Sequence, residues 1–348
     1  MSFEEPEKSA AKAQAAPAKA RTAKVSNRVG LVGLGAMGMG VAKNIIGAGF
    51  ELYACDVSDA ALRKVRRMGA VATRTAAEIA PHVDVLMILV VNAEQTESVL
   101  FGENGAAQHL AKGSTVVASS TMPPAYAEKL GERLTEMGLR LVDAPVSGGA
   151  AGAAAGTMTI MAAGAPIAMR RVKPVFDAIA SKVYKLGDTP GMGSKVKMIN
   201  QLLAGVHIAS SAEAMALGIR AGIDPETLYE VISNSAGSSW MFGNRVPHML
   251  AGDYTPTSAV EIFVKDLGIV LDSARAMKFP LPLTANAHQM FLAASAAGYG
   301  QEDDIAVIKI FERLAGIQLP AKGKRRKAAG AKPAGSSKPS RKPTNGKR

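Results

Sequence analysis

Val29-Gly30-Leu31-Val32-Gly33-Leu34-Gly35-Ala36-Met37-Gly38 is a short apolar strand that runs straight into G-x-G-x-x-G. Glycines at that spacing permit a tight turn, let a pyrophosphate approach the backbone and allow close helix packing. A helix over 39–48 then turns its N-terminal N–H groups toward phosphate. Alone, the pattern is common. It gains force from Glu51-Leu52-Tyr53-Ala54-Cys55-Asp56, a second strand ending in an acid about twenty residues on, where a carboxylate accepts from ribose hydroxyls. The same acid repels a 2′-phosphate, so NAD is the expected cofactor. A turn ahead of Ser58 is the competing, structural use of Asp56.

Beyond this unit, strands and helices alternate: strand 83–91, helices 94–100 and 105–111, strand 115–118, helix 124–137 and strand 140–143. Alternation of this kind predicts an α/β fold, a Rossmann-type doubly wound parallel sheet with right-handed crossovers. Ligands bind beyond the carboxyl ends of such strands. That places Val90, Val91, Gln95, Ser119, Ser120, Thr121 and the stretch 143–149 on one rim. The segment Asp143-Ala144-Pro145-Val146-Ser147-Gly148-Gly149 offers several backbone N–H groups beside a serine hydroxyl, a combination suited to holding a carboxylate.

From Gly191-Met192-Gly193-Ser194-Lys195-Val196-Lys197-Met198-Ile199-Asn200-Gln201 the chain offers no proline until Pro225. A helix over 194–220 would be roughly 40 Å long at the usual rise and could cross a whole domain. Lys197 and Asn200 share one face near its start. The chain from Pro225 onward reads as helices only, over 225–235, 239–250, 261–277, 284–297 and 304–314. The expected organisation is a disordered segment 1–27, a Rossmann domain 28–192, an all-α domain 193–316 built around the long helix, and a disordered basic segment 317–348. A long apolar helix needs partners on several sides, so a homodimer or homotetramer is expected.

Composition narrows the function classes. The longest unbroken apolar run, Val85 to Val91, is far short of the roughly 20 residues that span a bilayer. One cysteine, Cys55, excludes an internal disulfide framework, and the five histidines form no metal-spaced pair. A cytoplasmic enzyme without a structural metal is the default. The formal charge of +12 is concentrated at the ends, with eleven Lys and Arg and no acid from Pro320 to Arg348, which leaves residues 29–319 slightly acidic. A non-catalytic nucleic-acid-binding module using that basic segment is the alternative from another class. Intact candidates for chemistry elsewhere weigh against it.

With the dinucleotide loop, Ser119-Ser120-Thr121, the glycine-rich stretch after Asp143 and the spacing Gly191, Gly193, Lys197, Asn200, the chain resembles the β-hydroxyacid dehydrogenases over about 28–316. Further segments are most similar to the branch of that family acting on L-threonate: Val90-Val-Asn-Ala93, Leu100 to Gly105, Gln201 to Ala209, Ser239 to Phe242, Gly252 to Pro256, Ile262 to Leu267 and Gly298 to Asp304. The resemblance implies NAD-dependent oxidation of a short 2- or 3-hydroxy acid by hydride transfer, with 3-hydroxyisobutyrate and tartronate semialdehyde chemistry as the alternatives. It implies cofactor contacts from Gly33, Leu34, Gly35, Ala36, Met37, Gly38, Asp56, Val90, Val91, Gln95, Thr121 and Lys265. An ion pair with Asp266 is the structural use of Lys265. Ser120, Ser147, Gly148 and Gly149 match substrate-holding positions, Lys197 the catalytic lysine and Asn200 its partner. Trp240, the only tryptophan, is a candidate to line the substrate site, with core packing as the alternative. No metal is expected.

Overall fold

The computed structural model describes residues 27–321. The terminal segments expected to be disordered lie outside the described residues, apart from their innermost few. The described residues divide into two compact units: 27–120 with 125–193, and 121–124 with 194–321.

In the first unit the order is β1 (Arg28–Val32), α1 (Gly38–Gly47), β2 (Glu51–Cys55), α2 (Asp59–Arg67), β3 (Val71–Thr73), α3 (Ala76–Ile79), β4 (Val85–Ile88) and α4 (Ala93–Phe101). β5 (Thr115–Ala118), α5 (Pro124–Glu136), β6 (Arg140–Asp143), β7 (Val146–Ser147), α6 (Gly149–Ala155), β8 (Met158–Ala163), α7 (Pro166–Ile179) and β9 (Ala180–Gly187) complete it. The sheet order is β3-β2-β1-β4-β5-β6-β8-β7, with β9 paired to β8. Strands β1 to β6 pair in parallel, as expected of a doubly wound sheet. β4 and β5 are buried along their whole length, which is why they read as runs of Val, Leu, Met and Ile rather than alternating.

The far edge departs from an all-parallel sheet. β8 runs antiparallel to both β6 and β7, the chain returning from Ser147 to Met158 through the short helix α6 instead of a long crossover. The expected helix over 105–111 is absent. There Ala106 and Ala107 donate their backbone N–H groups back to Val99 and Leu100, and the segment folds as turns against α4 with Leu110 buried. The strand expected over 83–91 is confined to Val85–Ile88.

The second unit comprises α8 (Met192–Arg220), α9 (Pro225–Ser233), α10 (Trp240–Leu250), α11 (Val260–Ala276), α12 (Pro282–Ala294) and α13 (Lys309–Ala315). Two expected helices are interrupted. α12 gives way at 295 to a wider turn with Gly298 at φ 93°, and 304–308 is a tight 3₁₀ segment ahead of α13. α8 has 29 residues and a mean hydropathy of 1.5 over its most apolar 18-residue window, long and apolar enough to cross a membrane. This corrects the count of unbroken apolar residues, which a few dispersed polar side chains defeat. Its apolar surface has an internal destination: Ile208, Ala209, Ala212, Met215 and Ala216 pack in one core with Phe242, Phe263, Leu267 and Phe291. Small residues there let neighbours approach closely.

Candidate active site

In the first unit the loop between β1 and α1 is held from two sides. Gly33 donates to the Cys55 carbonyl at 3.0 Å, and Leu34 donates to Asp56 Oδ2 at 2.6 Å. Gly33 has φ 98°, and a Cβ there would lie 2.4 Å from the Leu89 carbonyl oxygen. A Cβ on Gly38 would lie 1.9 Å from the Gly33 oxygen, so both positions require glycine for the turn itself. Gly35, by contrast, faces open space. No side chain caps the N-terminus of α1, whose N-cap residue is Met37. An exposed glycine backed by an uncapped helix start is a cradle for phosphate, so these residues fit a dinucleotide.

Asp56 makes the turn that is its structural use. Its Oδ1 accepts from Ser58 N at 2.7 Å, forming the turn, while Ser58 itself caps α2. Each carboxylate oxygen keeps a second lone pair for a ribose hydroxyl. On the rim, Asn92 caps α4 by accepting from Gln95 N at 2.8 Å, and the Gln95 carboxamide oxygen accepts from Val91 N at 3.0 Å. Gln95 thus shapes the Val90–Val91 backbone.

Ser120 is buried, with its hydroxyl 3.0 Å from that of Thr96. Thr96 Oγ1 lies 2.9 Å from the Asn92 carbonyl, which can only accept, so the Thr96 proton is committed there. The Ser120 proton therefore goes to Thr96, and Ser120 presents lone pairs. No motif singles out Thr96; its place one turn before the buried Leu100 is the only signal the sequence carries.

Ser147 ends β7. Gly148 and Gly149 come next at φ 121° and 60°, and α6 starts without a side-chain cap. Left-handed backbone explains these glycines, and it also leaves N–H groups without a local acceptor side chain. Asp143 is fully buried at the end of β6 instead of facing a ligand, and its Oδ2 accepts from Gly191 N at 2.9 Å.

In the second unit Lys197, Asn200 and Gln201 lie on the first turns of α8. Lys197 is buried, whereas Lys195 is exposed. Burial pushes the Lys197 ammonium down to about 8; the Asp266 charge opposes the shift and the Lys265 charge adds to it. Asn200 Nδ2 donates to Gln201 Oε1 at 2.9 Å, and Gln201 Nε2 donates to Asp266 Oδ2 at 2.5 Å. Lys265 Nζ lies 2.7 Å from Asp266 Oδ1, a charge contact poorly angled for a hydrogen bond, and 3.5 Å from the Thr121 carbonyl. The ion pair that is the structural use of Lys265 is therefore present. Thr121, expected on the rim of the sheet, groups with the helical unit. Trp240 is 67% exposed at the first position of α10, so its own unit does not enclose it. Among the described residues no cluster of His, Cys, Asp and Glu could hold a metal ion.

Residues 28–187 match the family profile for the NAD binding domain of 6-phosphogluconate dehydrogenase, and 191–311 that for the NAD-binding region of NADP-dependent 3-hydroxyisobutyrate dehydrogenase. The chain is 60% identical over 298 residues to an L-threonate dehydrogenase of Cupriavidus necator, covering 86% of this chain and 99% of the relative. It is 54% identical to the L-threonate dehydrogenase of Escherichia coli K12, covering 84% and 96%. A solved structure described as 3-hydroxyisobutyrate dehydrogenase from Salmonella typhimurium superposes with TM-score 0.78 at 54% identity, covering 81% of this chain and 99% of that one.

Proposed function

This chain belongs to the 3-hydroxyisobutyrate dehydrogenase-like family of β-hydroxyacid dehydrogenases, and we propose that it oxidises L-threonate to 2-dehydro-L-erythronate with NAD. The observation that carries the substrate is the identity of 60% and 54%, over nearly their whole length, to relatives that bear the name L-threonate dehydrogenase. The bound nicotinamide would supply the hydride acceptor. Gly33 to Gly38 would receive the pyrophosphate, Asp56 the adenosine ribose, and Val90, Val91, Gln95, Thr121 and Lys265 the rest of the cofactor.

Oxidation of a secondary alcohol needs its hydroxyl proton to leave as the C–H hydride departs. Lys197 takes that proton. An unperturbed lysine is a poor base near neutrality, and a group held at about 8 is a serviceable one. In the reverse direction its ammonium polarises the carbonyl. Asn200 steadies the reacting hydroxyl or the lysine. Ser147, Gly148 and Gly149 hold the carboxylate, and Ser120 accepts from a hydroxyl of the acid, in keeping with a polyhydroxy substrate. Trp240 completes the substrate surface.

A second reading, 3-hydroxyisobutyrate as substrate, is favoured by the description of the solved structure at 54% identity. An NADH-absorbance screen over L-threonate, 3-hydroxyisobutyrate, glycerate and serine decides. A kcat/KM highest for another acid would overturn the L-threonate assignment.

We also propose that the enzyme works in the cytoplasm, where free NAD is available, and assembles as a homodimer or homotetramer. Val196, Ile199 and Leu203 lie exposed at helical spacing on α8, an apolar face that a second copy would cover. Leu203→Glu should lower the mass measured by light scattering, and an unchanged monomer in both proteins would sink the assembly.

A further inference from the structure

α6 is built from glycine and alanine alone, Gly149-Ala150-Ala151-Gly152-Ala153-Ala154-Ala155, and it buries only Ala153. No side chain longer than a methyl group anchors it. Yet it continues directly from Ser147 and Gly148, so any displacement of α6 moves the turn assigned to the acid's carboxylate. What fixes α6 is α1. Gly40 lies in the first turn of α1, two residues beyond the G-x-G-x-x-G spacing, and meets α6 backbone to backbone. A Cβ there would lie 2.6 Å from Ala154 N, 2.7 Å from the Ala153 carbonyl carbon and 2.9 Å from its oxygen. Its φ is not left-handed, so the close approach alone requires glycine, in a helix that otherwise favours alanine. One turn on, Asn44 supplies the bond. Its Nδ2 donates at 2.8 Å to the Ala153 carbonyl and at 3.1 Å to that of Gly40, which uses both of its hydrogens. Ala153 belongs to the last turn of α6, where carbonyls lack a full intrahelical partner, and its backbone donor, Gly156 N, stands at 3.4 Å.

We propose that Gly40 and Asn44 are positioning residues for the dehydrogenase reaction: they lock α6, and with it the Ser147–Gly149 turn, against the helix that begins at the dinucleotide loop. The inference rests on the roles given above to Ser147, Gly148 and Gly149. All of these residues belong to the first unit, so the spacing between carboxylate turn and dinucleotide loop is set inside it. The two helices yield unequally. α1 buries Val41, Ala42 and Ile45 in the core against the sheet, whereas α6 has one buried residue. A methyl group added at 40 therefore drives α6 outward and leaves α1 in place. Ordinary contact begins at 3.4 Å, so the shift is most of an ångström. A misplacement of about 1 Å costs on the order of 100-fold in rate.

The test uses the full chain with NAD and L-threonate, or with whichever acid it turns over. Gly40→Ala should lower kcat/KM for the acid roughly 10–100-fold, mainly through a higher KM, while NAD affinity by calorimetry stays near native. Gly47→Ala, in the same helix with nothing within 4 Å of the added carbon, should leave both native. Asn44→Ala adds no overlap and should raise the KM for the acid roughly 3–10-fold, the worth of one neutral hydrogen bond. It decides alone should Gly40→Ala not fold. A native KM for the acid in folded Gly40→Ala or in Asn44→Ala, or a parallel loss of NAD affinity, would overturn the interlock. A crystal structure of Gly40→Ala separates this inference from the reading beneath it. α6 displaced with α1 in place supports the interlock whatever the acid, and α1 displaced instead overturns it. Ser147→Ala with a native KM for the acid would overturn the carboxylate assignment, and the purpose of the interlock with it, even where that displacement of α6 is seen.

Discussion

Asp143, the last residue of β6, accepts a hydrogen bond at 2.9 Å from the backbone N–H of Gly191, across 48 residues of chain. The carboxylate therefore ties the segment leading into α8 to the end of a central strand. Gly193 is pressed into the same corner, where a Cβ would lie 2.4 Å from the Met161 oxygen and 2.6 Å from the Asp143 oxygen. Asp143→Ala leaves a buried N–H without this acceptor, which costs about 1–3 kcal/mol. Thermal melts should show a fall of several degrees, with Asp143→Asn closer to native because its carbonyl still accepts. A native Tm for the alanine variant would show that the contact holds nothing.

Lys197→Ala should lower kcat by roughly 10²–10⁴-fold, the usual worth of a positioned base, while NAD affinity by calorimetry stays near native. Lys195, exposed on the same helix, provides the control, and Lys195→Ala should cost little. The neutral amine is the active form for oxidation, so kcat/KM should rise with pH and level off above about 8. An acid limb near the ordinary lysine value would contradict the burial that holds the group down.

On the role proposed for Asp56, a carboxylate beside the adenosine ribose, NAD should be preferred over NADP by at least about tenfold in kcat/KM, about 1.4 kcal/mol. Asp56→Ala should narrow that ratio and also weaken both cofactors, since Leu34 N loses its acceptor in the phosphate loop. Initial rates with the two cofactors measure this directly; equal rates in the native enzyme would refute it.

Arg245 grips Asp304 through two contacts, 2.7 Å from Nε and 3.0 Å from Nη2, and Asp304 is fully buried. Burial pushes the Asp304 carboxyl up to about 7, against the pull of Arg245. Arg245→Met removes that pull and leaves the acid buried without its cation, a loss of about 3–5 kcal/mol when it is charged. A carboxyl raised further above its unfolded value gains protons on folding, so the variant's deficit should shrink as pH falls from 8 to 6. Denaturant unfolding at the two values checks the sign. A deficit that grows toward pH 6 would show that Asp304 stays ionised in the variant.

The elements legible without coordinates are those set by near neighbours along the chain. The dinucleotide turn is written within ten residues, because Gly33 and Gly38 must meet each other closely, and the Lys197–Asn200 spacing needs only helical periodicity. The parallel strands β1, β2, β4, β5 and β6 announce themselves as apolar runs separated by helices, whereas β3, three residues with none buried, does not. The antiparallel return of β8 does not, since Met158 to Ala163 is as apolar as any parallel strand and pairing direction is decided by what lies alongside. The turns over 105–111 read as a helix for the same reason: their alanines and Leu110 fill the core in either conformation.

Within the candidate site, residue order alone establishes which side-chain types are on hand: a lysine and an asparagine on one helical face, an acid after the second strand, a serine before two glycines. Their states are set by packing in three dimensions. Asp266 lies 65 residues from Gln201 along the chain, yet it accepts a hydrogen bond from the Gln201 carboxamide. Burial lowers Lys197, Thr96 turns the proton of Ser120 inward, and Asp143 is spent on the backbone of Gly191 rather than on a ligand. Electrostatic desolvation and hydrogen-bond direction depend on neighbours in space, and no local spacing rule encodes them.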